Sequence, residues 1–175
     1  MNLWERPAFI GVGVQKAGTT FFHQVMSRAI GGTKLNKEVN FFCSGNFGKG
    51  YHWYGRQCQV GDCLIDFSPS YFTSLDARSR IYQAFNGSDQ ASLVINLRHP
   101  VDRLVSNIKH ELARGRMSPD SLSRWRENFW FVDNSRYSEH IECWRQLGLP
   151  IYVVKFESLN SNQLMRKIIA DLAGI

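Results

Sequence analysis

Ala8-Phe-Ile-Gly-Val-Gly-Val-Gln-Lys-Ala-Gly-Thr-Thr20 joins an uncharged apolar run to a turn that contains glycine. From Thr19 to Ala29 the apolar residues then recur at the spacing of a helix. A short apolar run, a glycine turn and a helical pattern, in this order, predict a buried strand, a loop and a helix. This unit is the first element of the fold that the rest of the sequence indicates.

Further apolar runs alternate with helical patterns along the chain. The predicted elements are, in order, strand Cys63–Phe67, helix Leu75–Phe85, strand Ser92–Leu97, helix Val101–Ala113, helix Tyr137–Leu147, strand Ile151–Val154 and helix Asn162–Leu172. Strands that are apolar throughout and separated by helices are typical of a parallel sheet covered on both faces. We therefore predict a three-layer α/β fold, a parallel sheet with helices on both faces, in a single domain of 175 residues. In such folds ligands bind beyond the carboxyl ends of the strands.

The composition is that of a globular protein with an excess of basic residues. Apolar residues make up 43% and charged residues 21% of the chain, and the formal net charge is +6. A basic excess that is spread along the chain favours a site for small anions, although charge alone suits nucleic acid equally well. The N-terminus lacks the pattern of a signal peptide, and no run of about 18 apolar residues occurs. We therefore expect a soluble, cytoplasmic protein without a membrane span.

The four cysteines do not form the pattern of a metal site. Cys58 and Cys63 are close in sequence, but the chain has no CxxC pair and no histidine at a matching spacing, so we expect no zinc site. A disulfide between Cys58 and Cys63 and ordinary buried thiols are both compatible with this spacing. Buried thiols are the commoner arrangement in a chain of this size.

The segment Gly13–Thr20 matches the frame of a phosphate-binding loop, GxxxxGK[ST], except that Thr19 stands in the lysine position. The backbone N–H groups of such a loop and the dipole of the following helix favour an anion. A kinase or NTPase would need a lysine at position 19 together with magnesium, whereas Lys16 lies inside the loop. A site for a shorter anionic group and a plain glycine-rich turn with an exposed lysine are both open at this point.

The run FIGVGVQKAGTT resembles the 5′-phosphosulfate loop of the sulfotransferases that use 3′-phosphoadenosine 5′-phosphosulfate (PAPS). Further segments resemble motifs of that family in the same order, namely Lys37–Phe42, Asp66–Phe72, Leu97–Ser106 and, more weakly, Tyr137–Trp144. These motifs most resemble those of the heparan sulfate sulfotransferases and related bacterial enzymes. The resemblance covers residues 8 to about 157 and implies a sulfotransferase of P-loop-like fold.

The resemblance implies that PAPS is held at both of its anionic ends and leaves as adenosine 3′,5′-bisphosphate (PAP), with no metal required. The residues expected to bind this cofactor are Gln15, Lys16, Ala17, Gly18, Thr19, Thr20, Arg98 and Ser106. Arg98 and Ser106 would hold the 3′-phosphate, since a guanidinium and a hydroxyl are natural donors to a phosphate. A structural ion pair of Arg98 with Asp102 or Asp66 is the alternative.

Three residues are predicted to take part in catalysis. Lys16 would stabilise negative charge on the leaving 5′-phosphate oxygen. Glu38 would be the general base, and we expect aromatic neighbours to bury it in part and to raise its pKa. The alternative is a surface ion pair of Lys37 with Glu38. His110 lies one helical turn after Ser106 and would be either a second acid or base or a packing histidine.

The acceptor is expected to bind near Lys37, Trp53, Tyr54 and Asp66. Aromatic faces with polar tips suit sugar rings, and core packing is an equal alternative for the two aromatic residues. Several heparan sulfate enzymes have a lysine where this chain has Phe67, which makes a highly sulfated glycan less expected. The predicted function is in-line transfer of a sulfuryl group from PAPS to a hydroxyl or amine, in particular of a carbohydrate.

The end of the sequence keeps other functions open. Relatives continue with a loop, often containing Lys-Gly, that covers the cofactor, and nothing after Glu157 resembles it. We therefore expect either a compact family member or a part of a longer protein, for which the Golgi lumen would be a second location. The alternative functions are a P-loop kinase or NTPase and a non-catalytic module that binds a bisphosphate nucleotide or nucleic acid. Nucleic acid is the less expected partner.

Overall fold

The computed structural model describes residues 6–30, 36–88, 90–121 and 129–173. In this part of the chain the strands are β1 Ala8–Gly13, β2 Gln59–Val60, β3 Cys63–Phe67, β4 Ala91–Leu97 and β5 Ile151–Lys155. The helices are α1 Thr19–Ala29, α2 Gly50–Cys58, α3 Leu75–Phe85, α4 Pro100–Ala113, α5 Phe129–Asp133, α6 Tyr137–Arg145 and α7 Asn162–Ala173. Short 3₁₀ turns cover Gly45–Lys49, Pro69–Tyr71 and Phe156–Ser158. Residues 1–5, on which the expectation about a signal peptide depends, lie outside the described residues.

The sheet has the strand order β2-β3-β1-β4-β5. β1 pairs in parallel with β3 and β4, and β4 pairs in parallel with β5. β1 can take the central place because its sequence carries no charge, and all of its residues are buried. The predicted parallel sheet is confirmed. The short strand β2, which pairs antiparallel with β3 at the edge, was not predicted, because two residues leave no periodicity in a sequence.

Helices cover the sheet on both faces. On one face, strand residues such as Ile10 and Leu93 pack with side chains of α2, α3 and α6, among them Trp144. On the other face, strand residues such as Phe9 pack with α1 and α7, among them Phe22. The two apolar clusters arise because successive residues along a strand point to opposite faces. The predicted three-layer α/β fold is confirmed.

Helix α2, which contains Trp53 and Tyr54, was not predicted. Its sequence is GYHWYGRQC, and glycine disfavours a helix interior by about 1 kcal/mol relative to alanine. Local propensity therefore gives little signal for a helix. Tertiary packing forms it instead, since Tyr54 and Cys58 are buried in the apolar cluster on this face of the sheet.

All four cysteines lie within the described residues and are free thiols. The disulfide considered between Cys58 and Cys63 is therefore not formed. Burial raises the pKa of the Cys58 thiol well above its usual range, which makes this thiol unreactive. Separately, none of the helices in the described part of the chain has the length and apolar character needed to cross a bilayer.

Gly11 in β1 stands opposite Phe67 in β3. A Cβ atom at Gly11 would lie 2.2 Å from Cδ1 and 2.4 Å from Cγ of Phe67. Phe67 is fully buried, and its ring centroid lies 5.8 Å from that of Phe22 in α1, so the ring has little room to move. The missing side chain at Gly11 therefore allows β1 and β3 to pair in this register.

Replacing Gly11 by alanine is expected to lower the free energy of unfolding by about 1–3 kcal/mol, because the added methyl group overpacks a filled core. Urea unfolding followed by circular dichroism measures this change. Gly45→Ala is the matched control, since a Cβ at Gly45 meets no atom within 4 Å. The control should change the free energy of unfolding by less than about 0.5 kcal/mol. Equal stability of the two variants would contradict the packing argument.

Two buried ionisable groups, His23 of α1 and Asp66 of β3, affect stability in opposite directions. Burial, with a smaller contribution from Lys37, lowers the pKa of His23 from 6.5 to about 4. Burial raises the pKa of Asp66 from 3.8 to about 6, although hydrogen bonds from Ser68 and Tyr71 favour the carboxylate. On folding, therefore, His23 binds protons less readily and Asp66 binds them more readily. As the pH falls from 6.5 to about 4, His23 therefore lowers the free energy of unfolding, whereas Asp66 raises it.

Asp66→Asn is expected to lose stability more steeply than the wild type on acidification from pH 6.5 to about pH 4. The variant keeps the unfavourable contribution of His23 and lacks the opposing contribution of Asp66. Thermal unfolding at a series of pH values measures the slope. Asp62→Asn, at an exposed position, is the control and should keep the wild-type slope. Parallel curves for the wild type and Asp66→Asn would refute the assignment.

Candidate active site at the carboxyl edge of the sheet

A cavity of about 490 Å³ opens beyond the carboxyl ends of β1, β3 and β4, where α/β folds bind ligands. It is lined by Gln15, Lys16, Gly18, Thr19, Thr20, Lys37, Glu38, Pro69, Arg98, Ser106, His110, Glu111, Arg114, Arg116 and Phe156. These residues come from the β1–α1 loop and the first turn of α1, the segment before α2, the residues after β3, β4 and β5, and α4 with the turn that follows it. Ten of the residues predicted from the sequence thus share one cavity.

The loop between β1 and α1 presents an uncapped helix end to this cavity. Lys16 and Gly18 have left-handed backbones, with φ of 67° and 76°, and α1 begins at Thr19 without a side-chain cap. The N–H groups in the first turn of a helix lack partners within the helix and favour an anion. A Cβ at Gly18 would lie 2.4 Å from Cδ1 of Leu159 and 2.9 Å from Cδ2 of Phe156. Only glycine therefore suits both the left-handed turn and this packing.

Arg98 follows β4 and is held by three contacts. Its Nη1 donates a hydrogen bond to the carbonyl oxygen of Lys16 over 3.3 Å, and its own carbonyl oxygen accepts one from the Tyr137 hydroxyl over 2.9 Å. The guanidinium carbon lies 4.4 Å from the ring centroid of Phe156, a favourable cation–π distance. Within the described residues Arg98 forms no ion pair with Asp102 or another carboxylate. The guanidinium donors that do not bond to Lys16 can therefore face an anion in the cavity.

Positive charge predominates in the lining, with five Lys or Arg side chains and two Glu side chains. Burial lowers the pKa of Lys16, and the positive charges of Arg114 and Lys37 lower it further. Partial burial, followed by nearby Lys16 and Arg114, lowers the pKa of His110. An anion would relieve this repulsion, so the lining favours an anionic ligand. In the described part of the chain no group of three or more His, Cys, Asp or Glu side chains suits a metal ion.

Glu38 faces the cavity as one partner of an ion pair. Its side chain is 50% exposed and pairs with Lys37. The aromatic residues that follow it, Phe41 and Phe42, are fully buried in the core and do not enclose the carboxylate. The pair of Lys37 with Glu38, considered as an alternative to a base among aromatic side chains, is therefore formed, and it is formed within the cavity.

Tyr54 and Asp66, predicted to contact the acceptor, are both fully buried. The ring centroids of Tyr54 and Phe41 lie 4.6 Å apart, so the core-packing alternative describes Tyr54. Asp66 accepts hydrogen bonds from Ser68 and Tyr71, each over 2.7 Å. The predictions for Tyr54 and Asp66 are corrected, because neither side chain reaches the lining of the cavity.

Ala17 and Trp53 are also predicted site residues that do not line the cavity. Ala17 is fully buried beneath the loop. Trp53 is partly buried against the apolar cluster, and the Lys49 ammonium lies 4.4 Å from its ring centroid. The structure thus places Trp53 on the packing side of α2.

The sequence patterns do not indicate five of the lining residues, which are Pro69, Glu111, Arg114, Arg116 and Phe156. Arg114 lies four residues after His110, so helical spacing could have identified it. Glu111 and Arg116 form two hydrogen bonds of 2.7 and 2.6 Å across the turn after α4. Phe156 carries no such signal, because it reaches the cavity only through the pairing of β5 with β4.

Curated proteins with similar sequences are heparan sulfate sulfotransferases, whereas no known protein-family profile matches the chain. The human heparan sulfate glucosamine 3-O-sulfotransferase 5 is 25% identical over an alignment 182 positions long, which covers 95% of this chain and 51% of the human protein. The mouse bifunctional heparan sulfate N-deacetylase/N-sulfotransferase 4 is 30% identical over 149 residues, which cover 75% of this chain and 16% of the mouse protein. The chain therefore spans about half the length of the first relative and a smaller share of the second.

A solved structure shares the fold. The sulfotransferase from Alicyclobacillus acidocaldarius superposes with a TM-score of 0.76 at 22% sequence identity, covering 96% of this chain and 81% of that one. The fold and the sequence relatives thus agree on one class of protein. The chain is thus homologous to heparan sulfate sulfotransferases and shares its fold with a bacterial sulfotransferase, and both similarities support a sulfotransferase family.

Proposed function

We propose that this chain transfers a sulfuryl group from PAPS to a hydroxyl or amine of an acceptor. The cavity itself carries this proposal, because it combines three features in one space of about 490 Å³. These are the uncapped start of α1 with Lys16, the pair of Arg98 and Ser106, and the carboxylate of Glu38. The same cavity can therefore serve a donor with two anionic ends and an acceptor that must lose a proton.

The donors in the lining fit a nucleotide with a 3′-phosphate and a 5′-phosphosulfate. The first-turn N–H groups of α1, Lys16 and the hydroxyl of Thr20 would hold the 5′ end. Arg98 and Ser106 would hold the 3′-phosphate, and the contact of Arg98 with Phe156 fixes the guanidinium in advance. When bound, PAPS supplies a sulfuryl group attached to a phosphate leaving group.

Lys16, Glu38 and His110 are the residues that we assign to the transfer step. Lys16 would stabilise negative charge on the leaving phosphate oxygen. Glu38 would accept the proton of the acceptor, and its ion pair with Lys37 orients the carboxylate within the cavity. His110 would be a second acid or base on the α4 side of the same cavity.

We propose a glycan that contains glucosamine as the acceptor. The relatives are named for 3-O-sulfation of heparan sulfate glucosamine and for N-deacetylation and N-sulfation of heparan sulfate. Lys37 and Arg114 belong to the lining and are not assigned to the donor. Their charges suit an acceptor that carries carboxylates.

Transfer of label from radiolabelled PAPS to N-desulfated heparan sulfate, in the presence of EDTA, is the direct test. Lys16→Ala is expected to lower kcat about 100-fold or more, because losing one group that stabilises the transition state costs about 10²–10³ in rate. Arg98→Ala is expected chiefly to weaken the binding of PAP, by about 10–100-fold, since it removes hydrogen bonds to a charged group. Calorimetry with PAP measures this second effect.

Lys109→Ala and Arg56→Ala are the matched controls for these variants. Both side chains are exposed and lie outside the lining, so binding and transfer should stay at wild-type values. Full transfer activity in Lys16→Ala would contradict the role of Lys16. Binding of PAP without transfer to any acceptor tested would favour a non-catalytic module, and transfer that stops in EDTA would favour a metal-dependent P-loop enzyme.

His110 offers a test of the donor site that needs no acceptor. Its pKa is lowered in the free protein, first by partial burial and then by Lys16 and Arg114. Bound PAP would place negative charge beside this residue, so the pKa of His110 should rise and PAP should bind more tightly as the pH falls. NMR titration of the ring protons with and without PAP measures the shift. A pKa of His110 that falls or stays constant when PAP is bound would count against the proposed donor site.

A further inference from the structure

Glu38 and Asn40 have backbone conformations that residues with side chains seldom adopt. Their φ angles are 59° and 51°, in the left-handed region that costs an L-residue about 1 kcal/mol or more. Asparagine tolerates this region better than glutamate does. Such conformations persist only where the surrounding structure holds them. Glu38, the proposed base of the reaction, thus belongs to a segment, residues 38–42, whose backbone other residues must hold in place.

Hydrogen bonds to the end of β3 hold this segment. The N–H of Glu38 donates to the carbonyl oxygen of Phe67 over 3.3 Å. The side-chain amide of Asn40 donates to the carbonyl oxygen of Glu38, and its backbone N–H donates to Oγ of Ser68, each over 2.9 Å. The hydroxyl of Ser70 donates to Oδ1 of Asn40. Glu38 is therefore bonded to the last residue of β3, and Asn40 to two residues that follow this strand.

Asp66 determines how the hydroxyl groups beneath the segment are oriented. Its two carboxylate oxygens accept from the Ser68 and Tyr71 hydroxyls, each over 2.7 Å. A hydroxyl group has one proton, so Ser68 and Tyr71 can only accept from the segment once they donate to Asp66. They accept from the N–H of Asn40 over 2.9 Å and from the N–H of Phe42 over 3.3 Å. A fully buried carboxylate thus sets the direction of both hydrogen bonds.

We propose that Asp66, Ser68 and Asn40 are positioning residues that hold Glu38 for proton transfer, an inference that rests on the proposed role of Glu38 as the base. Asp66 makes the Ser68 hydroxyl an acceptor, Ser68 holds the N–H of Asn40, and Asn40 holds the carbonyl group of Glu38. None of the three positioning residues lines the cavity. They act through Glu38, so their loss affects the rate of transfer and leaves the binding of PAP unchanged.

Amide hydrogen exchange tests this chain of hydrogen bonds without a transfer assay. In Ser68→Ala, exchange at the N–H groups of Glu38 and Asn40 is expected to become about tenfold faster or more, because Asn40 loses its acceptor. Exchange in β1 and β4 and the affinity for PAP should stay at wild-type values. Uniformly faster exchange throughout the sheet would reveal a general structural role for Ser68 and overturn the inference.

Ser27→Ala is the matched control for Ser68→Ala. Ser27 is also a buried serine, and its hydroxyl donates to the carbonyl oxygen of His23 over 2.6 Å within α1. The control removes a buried hydroxyl of the same kind away from the end of β3. It should leave exchange at Glu38 and Asn40, and kcat, unchanged. Faster exchange at Glu38 in this control would overturn the specific role of Ser68.

A double-mutant cycle in the transfer assay, with radiolabelled PAPS and N-desulfated heparan sulfate, tests whether Ser68 acts through Glu38. Glu38→Gln is expected to lower kcat about 10²–10⁴-fold. Ser68→Ala should lower kcat about tenfold with an unchanged KM for PAPS, and the double variant should be no slower than Glu38→Gln alone. If Ser68→Ala slows both backgrounds by the same factor, the inference fails and the base role stands. If Glu38→Gln keeps wild-type kcat, the base role fails and the inference fails with it.

Asn40→Gly is the second variant, and it decides the question if Ser68→Ala does not fold. Glycine adopts the left-handed backbone without strain, but it has no side-chain amide to donate to the carbonyl oxygen of Glu38. The position is only partly buried, so the variant should fold. We expect the same non-additivity with Glu38→Gln and faster exchange at the N–H of Glu38. Wild-type kcat together with wild-type exchange would overturn the inference.

Discussion

Phe67 lies over Gly11 at a cross-strand position where no side chain would fit. Because Gly11 has no side chain, β1 can pair with β3 in this register. On its other side, β1 pairs in parallel with β4. Because the strands run in the same direction, their carboxyl ends meet at one edge of the sheet. The loop with Lys16, the segment from Ser68 and the start of α4 after Arg98 then converge on one cavity. The site thus depends on the strand register as much as on its own residues.

Several features around the cavity are unfavourable for the free protein. The left-handed backbones of Lys16 and Glu38 are strained, the cationic side chains repel one another, and the carboxyl group of Asp66 is removed from water. The apolar clusters on both faces of the sheet compensate for these costs. Natural proteins place such costs at sites where charge and backbone must be held ready for a ligand. The arrangement therefore fits a site that is organised before its ligand binds.

The fold was largely accessible from the sequence. The four parallel strands and the five helices predicted all occur, with ends within two residues of those observed, because burial on one or both faces leaves a clear apolar period. β2, α2 and α5 were missed. β2 and α5 are too short for a clear period, and α2 contains glycines that weaken the helical signal. Most of the predicted site residues share the cavity because they follow directly on the predicted strands, as Lys16 and Arg98 do.

The sequence by itself determined the strands, the order of the loops and the chemistry that each loop carries, because these depend on residues close together in the chain. The tertiary structure decided which side chains reach the cavity. The side chains of Tyr54 and Asp66 lie in the core, whereas those of Phe156 and Arg114 line the cavity. The physical reason is that local periodicity specifies a face of a strand or helix. Distances between residues remote in sequence are set by strand pairing and by packing between layers, which no local pattern encodes.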